Sequence, residues 1–258
     1  MRPLRVKLRT GELRGELLTA LAYPSGDPEY AKLVLGELIE MGVEEVEFQG
    51  RSSLPTRPEL KVLGKGTTSI ILKVRGKHGW AAAKVLRSDS NREDVRREAS
   101  CLSLANSVRV GPKLLDFRRR SLLMELIGGV TIREFLSSPP EPQVLREVIL
   151  ELLHQAFRLD KIGLDHGELS RAGNHVLIEE DFGVKIIDFE SASTMRKPSN
   201  LSSIIQYLIF RKGASRTFEE LGIEVRTSSL IDSLRKYKRE INEGTFEEIL
   251  KSLGLNRL

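Results

Sequence analysis

Residues 162–190 read IGLDHGELSRAGNHVLIEEDFGVKIIDFE, and this stretch decides how the rest of the chain is read. A polar loop carrying His166, Gly167 and Glu168 leads to Asn174 and His175, and a hairpin over residues 176–189 follows. Asp188 closes the apolar run 184–187, so its carboxylate emerges at a strand end rather than inside a core. His166 reads as a core histidine that braces the loop, since four histidines in the whole chain do not make a metal site by themselves. The polar groups left for chemistry are Glu168, Asp188 and the pair Asn174 and His175.

Around this stretch lie 258 residues, 40% of them hydrophobic, enough for one two-lobed domain or two small ones with proper cores. The lone Cys101 excludes an internal disulfide and argues against a zinc site, which fits a reducing cytoplasm. The apolar run 17–23 is too short for a signal segment or a membrane span, so a soluble, cytoplasmic protein without a membrane partner is expected. A formal charge of +5 on a chain that is 30% charged fits acidic partners or a surface laced with ion pairs, and charge alone does not choose. The basic runs 118–120 and 235–239 are either weak RNA contacts or solvated faces.

Residues 1–55 read as an N-terminal α/β appendage, with strands near 5–8 and 43–48 and an amphipathic stretch over 12–21. A better helix opens at Asp27 as N-cap, with Pro28 first in the helix, an apolar stripe of Tyr30, Leu33, Val34, Leu38 and Met41, and a stop at Gly42. Gly50 to Ser53, with Pro55 and Pro58, reads as a linker. From residue 56 a β-rich lobe is expected to about 127, with strands at 60–64, 69–74, 80–86, 114–117 and 121–125 and a helix over 91–105. After the Gly128-Gly129 break the lobe 128–258 is helical, with helices at 131–136, 141–161, 201–210, 228–241 and 246–253. The fold class is α+β, a small β-rich lobe followed by a helical one.

Several groups in the β-rich lobe suit a nucleotide. The turn Leu63-Gly64-Lys65-Gly66, running on to Ile71, has glycines that let backbone amides approach phosphate oxygens, and it lacks the strand-to-helix setting of a Walker loop. Ala82 and Lys84 lie in an apolar strand where a lysine needs a partner. Glu98 supplies one, because Val95, Glu98, Leu102 and Ala105 share one helix face. Met124, Glu125 and Ile127 end a buried strand at the glycine break, where backbone groups suit an adenine edge. Phosphoryl transfer further asks for a carboxylate at the attacking hydroxyl, a cation near the γ-phosphate and ligands for magnesium. The stretch 162–190 holds all three, with Glu168 as base and Asp188 as magnesium ligand.

The segments 164–171 (LDHGELSR) and 187–193 (IDFESAS), with Gly111-Pro112, Leu123-Met124-Glu125 and residues 200–208, resemble the predicted archaeal serine/threonine protein kinases. These are small relatives of the RIO and KEOPS-associated kinases, and the resemblance covers about residues 60–210. It implies a two-lobed protein-kinase-like fold, ATP and Mg2+ as cofactors, and transfer to a Ser or Thr hydroxyl of a protein substrate, the chain itself included. Glu168 stands where such kinases carry Asp, and its extra methylene displaces the base by about 1 Å, which costs roughly a hundredfold in rate. The interval from Glu168 to Asn174 is one residue longer than usual, so either Asn174 or His175 faces the metal. Glu190 replaces the glycine of Asp-Phe-Gly, as in choline and aminoglycoside kinases, and no Ala-Pro-Glu segment follows. A small-molecule phosphotransferase and a nucleotide-binding ATPase switch in ribosome or tRNA assembly are the competing readings.

Overall fold

The computed structural model describes residues 3–8, 12–13, 15–210 and 216–255. The chain forms two compact units, residues 1–103 with 112–126 and residues 104–111 with 127–258. The architecture is α+β, with a large antiparallel sheet in the first unit and mostly helices in the second.

In the first unit, β1 (Leu4–Lys7), α1 (Gly15–Leu21), α2 (Pro28–Glu40), β2 (Val43–Phe48), β3 (Ser52–Leu54) and β4 (Arg57–Val62) come first. They are followed by β5 (Gly64–Lys65), β6 (Ser69–Gly76), β7 (Gly79–Leu86), α3 (Arg96–Ser107), β8 (Leu114–Phe117) and β9 (Ser121–Glu125). The last turn of α3 belongs to the second unit. The sheet runs β1-β2-β6-β7-β9-β8, with β5 also paired to β6. Alternation along the strands sends Leu72, Val74, Ala81, Ala83 and Val85 into one core with Leu17, Leu21, Val34 and Leu38 of α1 and α2. Residues 1–55 thus add β1 and β2 to the sheet and lay two helices in its core. At α2 the Asp27 carboxylate accepts from Glu29 N and Gly42 follows with φ +78°, while Leu33 is 52% exposed and Leu35 is buried instead.

Two local expectations change. The stretch read as a linker is the hairpin β3–β4, because Leu54, Leu60 and Val62 have apolar surface to bury and do so in the core of the first unit. Pro58 is tolerated there because this sheet has only two strands and hence only edges. The helix expected from residue 91 starts at Arg96. Ser90 Oγ accepts from Arg92 N and Asp94 Oδ1 from Arg96 N, and such side-chain bonds hold the backbone in turns ahead of the helix.

The second unit holds β10 (Val130–Thr131), α4 (Ile132–Ser137), α5 (Pro142–Lys161), β11 (Val176–Ile178), β12 (Val184–Ile186), α6 (Asn200–Phe210), α7 (Thr217–Glu220), α8 (Thr227–Arg239) and α9 (Glu243–Ser252). Short 3-10 helices cover Leu169–Asn174 and Phe189–Ser191. The strands form a small antiparallel sheet in the order β10-β11-β12. Thr131 and Glu134 close a capping box at the start of α4. The apolar face of α5 anchors the helices, with Phe157 stacked on Phe246 at 4.3 Å between ring centroids. Buried Asp160 at the end of α5 accepts from Asn200 N, Asn200 Nδ2, Leu201 N and Tyr237 Oη, tying α5 to α6 and α8. Among the described residues no helix is long and apolar enough to cross a membrane.

Candidate active site

The nucleotide candidates of the first unit converge by strand register. Ile71 faces Gly64 on one side and Lys84 on the other, and Ala82 faces Met124. Partnered residues of an antiparallel pair share a sheet face, so Gly64, Ile71, Ala82, Lys84 and Met124 line one face together. Leu63 N donates to Ile71 O just ahead of β5. Lys65 and Glu125 fall in the opposite phase: Lys65 is exposed, and Glu125 Oε2 accepts from Lys113 N, so its carboxylate serves the β8–β9 edge. Ile127 opens the second unit. Lys84 Nζ lies 2.7 Å from Glu98 Oε1, with both side chains buried. A buried ammonium is stable only beside such a carboxylate, so the pair fixes α3 and Lys84 to each other.

Arg87 escaped the sequence reading. Its guanidinium donates to Gly66 O at 3.1 Å and pairs with Asp89, and its backbone N donates to Thr68 O, which clamps the glycine turn. The Arg-x-Asp spacing after β7 was the available signal, and it is a weak one.

In the second unit three groups come together. Glu168 Oε2 lies 3.1 Å from His175 Nε2, and His175 Nδ1 lies 3.8 Å from Asp188 Oδ2. One potential ligand atom from each of Glu168, His175 and Asp188 lies within 4.8 Å of the other two. Asn174 is exposed, so of the two residues left open it is His175 that the backbone turns toward the carboxylates. His175 is placed by its own backbone, whose N–H donates to Ala172 O and whose carbonyl accepts from Ile187 N. Asp188 adopts φ +69°, a left-handed conformation that Asp tolerates better than most residues and that recurs where a side chain is aimed for function.

The loop before Glu168 is braced from beneath. His166 is fully buried, and its Nε2 lies 3.0 Å from Ile187 O. A carbonyl only accepts, so Nε2 carries the proton. Burial pushes this imidazole down to about 4, the bond to Ile187 opposing only in part, and the ring is neutral at ordinary pH. His166 N donates to Asn200 Oδ1, and Asn200 Nδ2 donates to Leu164 O. On the other side Asp165 pairs with Arg196 at 2.9 Å and exchanges backbone bonds with Ser193. Ser191 Oγ donates to Glu168 Oε1 at 3.3 Å. Gly167 has φ +88°, a conformation strained for other residues, and a Cβ there would also crowd Arg196 Nη2 at 2.6 Å and Ser191 O at 3.0 Å. Ser191 and Arg196 were not singled out in the sequence, because their partners lie more than twenty residues away.

This donor set suits a divalent cation. It offers two carboxylates and an imidazole, and His175 Nδ1 is buried with no hydrogen-bond partner among the described residues. The paired lysine and the clamped glycine turn suit a nucleotide's phosphates. A comparison with curated proteins gives no match. A family model described as RIO domain matches residues 73–206, more than half of the chain. The chain therefore belongs to the RIO domain family, atypical kinases with a two-lobed kinase-like fold that bind ATP together with a metal.

Proposed function

We propose that the protein is an atypical serine/threonine protein kinase, using ATP and a divalent cation, Mg2+ by family resemblance, to phosphorylate a hydroxyl of a protein substrate, itself included. The observation that carries the reading is the convergence of Glu168, His175 and Asp188 at the end of β12, each a ligand or base type that phosphoryl transfer needs. Glu168 orients the acceptor hydroxyl and takes its proton as the oxygen bonds to the γ-phosphorus and the bond to the leaving ADP oxygen breaks. Its Oε1 is held by Ser191, which narrows the positions the longer Glu side chain can take. Lys84, kept in place by Glu98, is assigned to the α and β phosphates. Asp188 and His175 are assigned to the cation, which when bound neutralises phosphate charge.

One observation favours a second reading, a small-molecule phosphotransferase. The chain passes from Asp188 to α6 at Asn200 through a short segment tied down by Asp165, Ser193 and Arg196, with little length to build a peptide platform. Turnover of γ-labelled ATP by wild type, Lys84→Ala, Glu168→Ala and Asp188→Ala tests both. Label on protein that disappears in each variant is the expected result. ATP consumed in a metabolite pool with no labelled protein would favour the second reading, and ATP turnover untouched by Asp188→Ala would end both.

A further inference from the structure

We infer that the corner between α1 and α2, residues 22–30, is a positioning element for the glycine turn, and that Tyr23 and Ser88 act through Arg87 to set how tightly the protein holds a nucleotide's phosphates. The inference rests on the kinase reading above and gives the N-terminal helices a part in it.

The chain leaves β7 through Leu86, Arg87 and Ser88, and this short segment is gripped from two sides. On one side it holds the glycine turn. Arg87 N donates to Thr68 O at 2.8 Å and Arg87 Nη1 to Gly66 O at 3.1 Å, while Gly66 N donates to Ser69 O and closes the turn on itself. On the other side the corner holds the segment. Ser88 N donates to Tyr23 O, Ser88 Oγ donates to Ala22 O and accepts from Ser25 N, and Tyr30 Oη donates to Leu86 O at 2.9 Å.

The Arg87 guanidinium links the two sides. Its Nε and Nη2 donate to the two oxygens of Asp89 at 2.9 and 2.7 Å, and its Cζ lies 5.1 Å from the centre of the buried Tyr23 ring. The carboxylate fork fixes the guanidinium plane and the ring backs one face of it, which aims Nη1 at Gly66 O. With all three nitrogens engaged, Arg87 is a brace and not itself a phosphate ligand. Glycine gives the turn more backbone freedom than other residues would, so the amides that await phosphate oxygens have to be ordered from outside. Ordering them beforehand removes that cost from binding. The purine side is placed differently, since Ala82 faces Met124 by strand pairing alone. Loosening the corner therefore acts on the phosphates and spares the base.

The test is calorimetry on the full chain with ADP and Mg2+ and, separately, with adenosine. Tyr23→Leu and Ser88→Ala should each weaken ADP about three- to tenfold, the worth of one hydrogen bond, and leave adenosine unchanged. Hydrogen exchange at residues 66–69 should quicken in both. Tyr23→Phe, which keeps the ring against Arg87, should bind ADP as the wild type does. Ser88→Ala removes only a hydroxyl, so it decides the matter if Tyr23→Leu fails to fold. ADP and adenosine weakened alike, or ADP binding unchanged, in a Ser88→Ala protein that keeps its thermal transition would overturn the inference and leave the kinase reading standing. Wild-type protein that binds neither compound would remove both.

Discussion

Three residues in this protein have environments that dictate measurable behaviour. Lys84 and Glu98 are paired at 2.7 Å with almost no exposure. Removing one partner strands the other, so Lys84→Met should cost about 3–5 kcal/mol in urea unfolding. Adding Glu98→Leu should return much of that stability while activity stays lost, because two apolar residues need no partner. If the double variant is no more stable than the single one, the pair is not held as a buried ion pair. His166 behaves differently, because its imidazole is buried neutral and titrates only near 4. The unfolded chain binds the proton at an ordinary histidine value of about 6.5, so between these values the unfolded state carries more protons. The stability from a neutral His166 is therefore whole above about pH 6.5 and drains away as pH falls toward 4. Unfolding free energy should drop by about 2 kcal/mol from pH 7 to pH 5, and His166→Gln should flatten that slope.

Between elements, the polar joint of α5, α6 and α8 matters more than any one contact. Asp160 collects donors from Asn200, Leu201 and Tyr237, and Asn200 passes the support on to Leu164 and His166, two residues before Glu168. Burial pushes the Asp160 carboxyl up, and these donors oppose the push. Tyr237→Phe removes one donor and should cost about 1–2 kcal/mol. Asn200→Ala removes bonds on both sides and leaves buried polar groups unmet, so about 2–4 kcal/mol is expected, with a fall in turnover. Hydrogen exchange at residues 164–168 checks the coupling. Faster exchange there in Asn200→Ala but not in Tyr237→Phe is the pattern predicted if Asn200 alone touches the loop.

For the molecule as a whole, ligand linkage gives a global readout. ADP with a divalent ion at a hundredfold excess over its dissociation constant should add about 2.7 kcal/mol, which raises the melting temperature by roughly 5–10 °C. Asp188→Ala should keep whatever the nucleotide alone contributes and lose the metal-dependent part. The same scale bears on the basic excess of +5. Arg118 pairs with Glu40 and Asp116, Arg120 with Glu37, Arg235 with Asp232 and Lys236 with Glu248. These side chains from the two runs considered for RNA are thus engaged with carboxylates, the arrangement an ion-paired surface has.

Local patterning by itself determined the α+β order, the α2 cap at Asp27, the alternation of β6 and β7 and the long amphipathic α5, because helix and strand periods are written in neighbouring residues. The Lys84–Glu98 pairing was legible too, since a lysine in an apolar strand and a glutamate on an apolar helix face each need a charge. Tertiary structure decided the rest. It made a hairpin of the supposed linker, because the burial of Leu54 and Leu60 depends on a core assembled elsewhere. It also brought the His175 ring against Glu168 and Asp188 and left Asn174 exposed, through the 3-10 helix Leu169–Asn174 and one backbone bond to Ile187. Ser191, Arg196 and Arg87 acquire their roles only through contacts across long sequence separations, which no local pattern encodes.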